Sequence, residues 1–159
     1  MRIPALLITL LATGTALAAG AAQAADPAQA TGAAQANAAL HPVTMSKEQI
    51  AGGIWQDFKP VEKTEGGVTT ADVEVFRSAA EDFDAGMWRS DAAHWDIDSY
   101  PYNEYIHVLD GSITLTSSDG TVTEVGPGDS VVIPLGWKGR WDSPGVTKIY
   151  AIHAPNKDL

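Results

Sequence analysis

The stretch Glu104–His153, EYIHVLDGSITLTSSDGTVTEVGPGDSVVIPLGWKGRWDSPGVTKIYAIH, decides the fold class of this chain. Short runs of strand-forming residues alternate in it with the turn sequences Asp-Gly, Gly-Pro-Gly-Asp, Pro-Leu-Gly and Ser-Pro-Gly. Turn signals at such short and regular spacing indicate an all-β sandwich or barrel. Within the stretch, SITLTSSDGTVTEV predicts a β-hairpin with Ser-Asp-Gly at its turn. Upstream, the alternating segment DVEVF predicts a further strand.

The N-terminal residues predict export. They begin with one Arg, continue as an apolar run and end in small residues around Ala-Gln-Ala, which is typical of a secretory signal peptide over residues 1–25. An uncleaved membrane anchor is the alternative, but the apolar run is short and rich in Ala and Gly. Residues 26–42 are low in complexity and rich in Ala and Gln, which predicts a flexible tether, with a marginal Ala-rich helix as the alternative. We therefore expect a secreted or periplasmic protein whose folded domain occupies residues 43–159.

Composition excludes several kinds of partner. The net charge is −10, from 10 Lys and Arg against 20 Asp and Glu. Nucleic acids and anionic membranes bind basic patches, so we expect neither as a partner of the mature protein. The chain has no Cys, so no disulfides stabilise it after export and it must rely on an ordinary hydrophobic core.

A short helix is predicted ahead of the strands, in TMSKEQIAGG. Ser46 and Gln49 have the spacing of a capping box, and Met45 and Ile50 are placed for a hydrophobic staple. The glycine pair that follows predicts the end of this helix.

The segments EYIHVLDG and GPGDSVVIPLGWKGRW resemble the two motifs of the cupin superfamily, which are small jelly-roll barrels. More narrowly, the chain from about Val43 to His153 is similar to the cupin domain of ethanolamine-utilisation Q proteins, also described as the ureidoglycine aminohydrolase cupin domain. The resemblance implies a single small jelly-roll barrel, and small amino or ureido compounds as ligands or substrates. The matching positions are Gly86, Trp88, Glu104, Gly111, Gly128, Asp129, Pro134, Gly136, Gly139, Trp141, Lys148 and Tyr150.

The resemblance also implies where a metal would bind. Metal-binding cupins supply His-x-His and a glutamate from the first motif and a third histidine from the second. The corresponding positions here hold Asp98, Tyr100, Glu104 and Gly139, so only the glutamate remains. Zn, Fe and Ni sites need imidazole ligands in adequate number. We therefore predict no metal cofactor, with a divalent ion at His94, Asp98 and Glu104 as the alternative.

Strand alternation suggests which side chains share the barrel interior with Glu104. If Glu104 points inward, Ile106 and Val108 point inward too, and His107 points to the opposite face. Counting by twos places His94 on the same face as Asp98. We therefore predict that His94 and Glu104 form an acid–base pair with Asp98 nearby. A hydrogen-bonded, half-exposed His94 is the alternative.

Aromatic residues cluster around the two motifs. Trp88, Tyr100, Tyr102 and Trp141 are predicted to bind a ligand together with Asp98, since aromatic rings beside a carboxylate suit a small polar or cationic molecule. Trp141 is expected to fill the space that the absent imidazole leaves. The alternative is that the rings only fill a small core.

Glu104 also has a structural interpretation, as an acceptor of hydrogen bonds from Tyr100, Lys148 or a Trp N–H. These possibilities lead to three functional hypotheses. The first is a binding module that holds a small polar or amine-bearing metabolite without the standard metal site. The second is a hydrolase or isomerase of small molecules that uses Glu104 as acid or base. The third is an interaction scaffold, which includes a possible homodimer.

Overall fold

A computed structural model describes residues 40–155 of the chain. The predicted signal peptide and residues 26–39 of the predicted tether lie outside the described residues. Among residues 40–155, no helix has the length and apolar character that crossing a membrane requires. The strands are β1 Val61–Glu65, β2 Val68–Arg77, β3 Phe83–Ser90, β4 Ala93–Ile97, β5 Asn103–Ser117, β6 Val122–Val125, β7 Ser130–Ile133 and β8 Gly139–His153.

All strand pairs are antiparallel, in the order β1-β2-β3-β8-β5-β6, with β4 also paired to β8 and β7 also paired to β5. Strands β5 and β8 pair along almost their whole length and form the centre of the sheet. The first part of β8 pairs with β4 and the second part with β3, while β5 is shared in the same way between β7 and β6. This arrangement confirms the predicted all-β jelly roll.

The two long strands change direction where Gly111 and Gly145 meet. Bulges interrupt the register of β5 against β8 on both sides of Gly111, and bulges bend a strand. Gly111 has a φ of 74°, and a Cβ there would overlap the carbonyl group of Gly145. Only glycine fits this close approach. The hairpin predicted from the sequence is β5–β6, which pairs Ile113 with Val125.

The inner face of the sheet holds the main core. This cluster contains Ile106, Val108, Ile113, Leu115 and Trp141, which are at most 5% exposed. Most of these side chains point inward from β5 and β8. The polar groups described below lie among them.

The outer face is covered by the N-terminal segment. The predicted capping box is confirmed: the Ser46 N–H donates to Gln49 Oε1 at 2.8 Å, and the Gln49 N–H donates to Ser46 Oγ at 3.2 Å. A π-helical turn over Gln49–Gly53 leads into helix α1, Ile54–Asp57. The predicted end at the glycine pair is wrong, because the chain kinks at Gly52 (φ 117°) and continues as a helix.

Helix α1 is held by Ile54, which is fully buried against Val73 and Met87. Burial of a side chain of this size stabilises the fold by about 2–3 kcal/mol. The outer face of β2 and β3 is therefore covered by helix α1, which Val73 and Met87 contact. Because side chains alternate along a strand, the residues next to them point to the inner face.

Candidate functional site

Glu104 is buried in the barrel interior and is paired with Lys148. The side chains of Glu104, Ile106 and Val108 all point inward from β5, as alternation predicts. Lys148 Nζ donates to Glu104 Oε1 at 2.6 Å, and the Tyr100 hydroxyl donates to Glu104 Oε2. Glu104 is 2% exposed and Lys148 is 5% exposed. Burying a charge is costly unless it is paired, so each of these side chains is the reason that the other is tolerated inside.

The Lys148 ammonium group lies between two indole rings. Its Nζ is 4.8 Å from the ring centroid of Trp88 and 5.2 Å from that of Trp141. Trp95 contacts both rings, with centroids 6.3 Å from Trp88 and 6.0 Å from Trp141. An ammonium group over an aromatic face is stabilised electrostatically, and more strongly when water is excluded. We call Glu104, Lys148, Trp88 and Trp141 the lysine cage.

Two phenols and a third indole lie beside the lysine cage. The Tyr100 ring is 5.2 Å from Tyr102 and 6.3 Å from Trp137, in edge-to-face arrangements. Burial raises the pKa of Tyr100 well above its usual value, and the nearby Glu104 raises it further. The same two causes raise the pKa of Tyr102. Both phenols therefore keep their protons, and Tyr100 is a permanent hydrogen-bond donor to Glu104.

Gly139, where the resemblance places a metal-binding histidine, has no space for a side chain. A Cβ there would overlap the Thr116 carbonyl oxygen and would lie 2.6 Å from Cζ2 of Trp137. The expectation that Trp141 fills this space is wrong: Trp137 fills it. Trp141 does point inward, as predicted, and is 3% exposed.

The structure does not bring His94 to Glu104. In β4, Ala93 and Ile97 are buried, whereas His94 is exposed on the opposite face. His94 Nδ1 is 2.6 Å from Asp142 Oδ1, outside the barrel. The predicted His94–Glu104 pair is therefore wrong, and the alternative of a hydrogen-bonded, partly exposed histidine is the one observed.

Asp98 is also exposed and lies after the end of β4. The expectation that it faces the barrel interior near Glu104 is therefore wrong. Over residues 40–155 no three His, Cys, Asp or Glu side chains are grouped so that they would hold a metal ion. His107, which was expected on the face opposite to Glu104, bonds to Ser130 Oγ through Nδ1 at 2.9 Å.

A second interior polar cluster was missed by the sequence analysis. It consists of Asp72 on β2, Asp84 on β3 and Tyr150 on β8, and we call it the aspartate cluster. In the register of the sheet, Asp72 lies opposite Trp88, which in turn lies opposite Lys148. Asp84 lies opposite Ile152, which is opposite Glu104. Cross-strand partners share a face, so the aspartate cluster and the lysine cage line one interior.

Burial changes the protonation of the aspartate cluster. Burial raises the pKa of Asp84 to about 7, opposed by Arg77, whose Nη2 is 3.3 Å from Asp84 Oδ2. Burial also raises the pKa of Asp72 to about 6, opposed by a hydrogen bond with Tyr150. Both carboxyl groups thus exchange protons near neutral pH, which is the range in which acid–base groups and ligand-linked protons operate.

Four buried polar side-chain atoms find no hydrogen-bond partner within residues 40–155. They are Asp72 Oδ1, Asp84 Oδ1, Ser90 Oγ and Trp141 Nε1. Buried polar groups are nearly always satisfied by protein, water or a ligand. Two acceptors in the aspartate cluster and one donor in the lysine cage are therefore left without a partner among residues 40–155.

The antiparallel barrel has the architecture of a small cupin-like jelly roll. Residues 77–150 match the family model of the EutQ-like cupin domain. This segment of the chain is thus similar to a EutQ-like cupin domain. No protein with a curated function matches the sequence.

Solved structures agree with this fold. The EutQ protein of Clostridium difficile superposes with a TM-score of 0.53 at 19% identity, over 64% of this chain and 85% of that one. A DUF861-family protein of unknown function from Pseudomonas syringae superposes with a TM-score of 0.51 at 21% identity, over 58% of this chain and 43% of that one. At such identities the likeness concerns the fold alone.

Proposed function

We propose that this domain binds a small polar metabolite inside its barrel, at the interior that the lysine cage and the aspartate cluster line. The observation that carries the proposal is the set of unpartnered buried atoms, above all the Trp141 N–H. An indole N–H without an acceptor costs about 1–3 kcal/mol when buried, and a bound acceptor would remove that cost.

Lys148 supports the same proposal. A lysine ammonium group has three N–H donors, and among the described residues only Glu104 accepts a hydrogen bond from it. Two donors on Lys148 and one on Trp141 are thus available to the hydroxyl or carbonyl oxygens of a ligand. The indole faces of Trp88 and Trp95 supply the apolar surface that typically completes a small-molecule site.

An acid–base role for Glu104 is less well supported. Both of its oxygens already accept hydrogen bonds, from Lys148 and Tyr100. A general base needs a free oxygen within reach of the substrate's proton, so an enzymatic reaction through Glu104 stays a prediction. Export to the periplasm and a homodimer also stay predictions from the sequence.

Tryptophan fluorescence tests the proposal, because three of the five Trp residues surround the Lys148 ammonium group or contact its cage. Glycerol, glucose, acetamide, N-methylurea and ethylammonium chloride should be titrated at millimolar concentration, with melting temperature as a second readout. At least one should change the fluorescence and raise the melting temperature.

The variant Trp141→Phe keeps an aromatic ring and removes the N–H. It should weaken binding of the active compound about 2- to 10-fold, which corresponds to one neutral hydrogen bond. Trp55→Phe is the matched control, because Trp55 lies in the outer cluster with helix α1. No response to any compound, or equal losses in both variants, would contradict the proposal.

A further inference from the structure

We infer that the aspartate cluster is a binding site for an ammonium group, so that the ligand of this barrel is an amine. The inference rests on the proposed function, because it assigns one end of the same ligand. It places the amine at Asp72 and Asp84 and not at Glu104.

Glu104 has no capacity left for a ligand amine. Its charge is neutralised by Lys148 at 2.6 Å and its second oxygen is bound by Tyr100. A second ammonium group there would have to displace Lys148 from between two indole rings. The chain therefore already contains the cation that Glu104 binds.

The aspartate cluster has the opposite property, since its acceptors are unfilled. Asp84 is 6% exposed, yet its Oδ1 has no partner, and Asp72 Oδ1 has none either. Arg77 reaches Asp84 only at 3.3 Å, while its Nη2 is 2.5 Å from Glu74. Removing a carboxylate from water is costly, and this burial is what raises the pKa of both aspartic acids, against the opposing effects of Arg77 on Asp84 and of Tyr150 on Asp72.

Tyr150 supplies the third acceptor. Tyr150 lies close enough to Asp72 to lower the pKa of that carboxyl group, and Asp72 and Asp84 both raise the pKa of the Tyr150 hydroxyl. Gly86 lies two residues after Asp84 on β3, and so on the same face, and is paired with Tyr150. It allows the position of Tyr150, because a Cβ at Gly86 would lie 2.8 Å from the Tyr150 oxygen. Three acceptors, two carboxylate oxygens and one phenol oxygen, match the three N–H groups of a primary ammonium ion.

The charges around the cluster favour a cation. The titratable groups that interact with Asp72 and Asp84 are Glu74, Arg77, Tyr102, Glu104, Lys148 and Tyr150. Arg77 is paired with Glu74, and Lys148 is paired with Glu104. Arg77 also reaches Asp84, so two cations are shared among the four carboxyl groups of Asp72, Glu74, Asp84 and Glu104. Acidic groups are thus in excess, and a monovalent amine would neutralise part of that excess.

Calorimetric titration with methylammonium and ethylammonium chloride tests this inference, with potassium chloride at equal ionic strength and with glycerol as a neutral ligand. Both amines should bind and potassium should not. Binding should release protons, measured from the heats in two buffers of different ionisation enthalpy. The affinity should rise about 10-fold or more from pH 5.5 to pH 7.5, because ionised carboxylates bind the ammonium group.

Asp72→Asn and Asp84→Asn should each weaken amine binding at least 10-fold and reduce the proton release. Asp96→Asn, at an exposed position on β4, is the matched control and should bind amines as the original chain does. Should an asparagine variant fail to fold, the proton release of the unmodified chain still decides the question.

The possible failures are distinguishable. If glycerol or another neutral compound binds and amines do not, this inference is overturned and the proposed function stands. If potassium binds as tightly as the amines, the site is not specific for an amine and the inference is overturned. If nothing binds, the inference and the proposed function both fail.

Discussion

Replacement of Lys148 by Met should be among the most damaging single changes in the interior. The methionine side chain fills the space between Trp88 and Trp141 but removes the ammonium group 2.6 Å from Glu104. Glu104, 2% exposed, would then be a buried carboxylate with only Tyr100 as a partner. Breaking a buried pair by removing one member costs about 3–5 kcal/mol, a large share of the 5–15 kcal/mol that typically stabilises a domain.

The double variant Lys148→Met/Glu104→Gln distinguishes a broken pair from lost packing. With both charges removed, most of the loss should be recovered, which gives a coupling energy of about 2–4 kcal/mol in a double-mutant cycle. Urea unfolding followed by tryptophan fluorescence and circular dichroism measures each free energy of unfolding. Lys138→Met, at an exposed lysine, is the control and should change stability by less than about 0.5 kcal/mol.

Two results would refute this reasoning. One is a loss below about 1 kcal/mol in Lys148→Met, the range of an exposed ion pair. The other is a double variant that is as unstable as the sum of the two single variants, since additivity means that the two groups do not interact.

Three further predictions concern other parts of the barrel. The pKa of Asp84 is about 7 when folded against an ordinary value of 3.8, so the folded state binds its proton more tightly than the unfolded state does. The free energy of unfolding should therefore fall on the order of 3 kcal/mol as pH rises from 4 to 7, and Asp84→Asn should reduce that fall in urea titrations across this range. Gly139→Ala should cost about 2–3 kcal/mol because its Cβ would overlap the Thr116 carbonyl oxygen and press on Trp137, whereas Gly126→Ala, whose Cβ meets nothing closer than 3.6 Å, should cost under about 1 kcal/mol. His94→Ala should lower thermal stability by no more than about 1 kcal/mol at pH 6, because its ion pair is exposed; a larger loss would mean that His94 has a role in the interior.

Alternation predicted the fold and the surroundings of Glu104 well, because both depend on local signals. The turn sequences fix where strands end, and the period of two places Glu104, Ile106 and Val108 together inside. The same rule failed for His94. The link from Glu104 to β4 crosses residues 98–102, which are not a strand, so the alternation does not carry across them. Counting by twos shows which residues share a face, but it does not show which face is inside.

The aspartate cluster was missed for a related reason. In the segment DVEVF the valines would be expected to face the core and Asp72 to face solvent. Here Val73 and Val75 pack outward beneath helix α1, and that leaves Asp72 on the inner face. The helix was predicted from its capping box, but nothing in its sequence shows which strands it covers. The position of Asp72 therefore follows from tertiary packing alone.

The pairing of Lys148 with Glu104 also bears on what the folded barrel needs from outside. A metal ion must be delivered to its site, competes with other ions for it and is removed by chelators. The Lys148 ammonium group is covalently part of the chain, so its supply is complete when translation ends. It cannot dissociate from the protein or be exchanged for another ion, and it does not depend on the metal content of the medium. The ion pair at the centre of this barrel therefore consists of groups that β5 and β8 themselves supply.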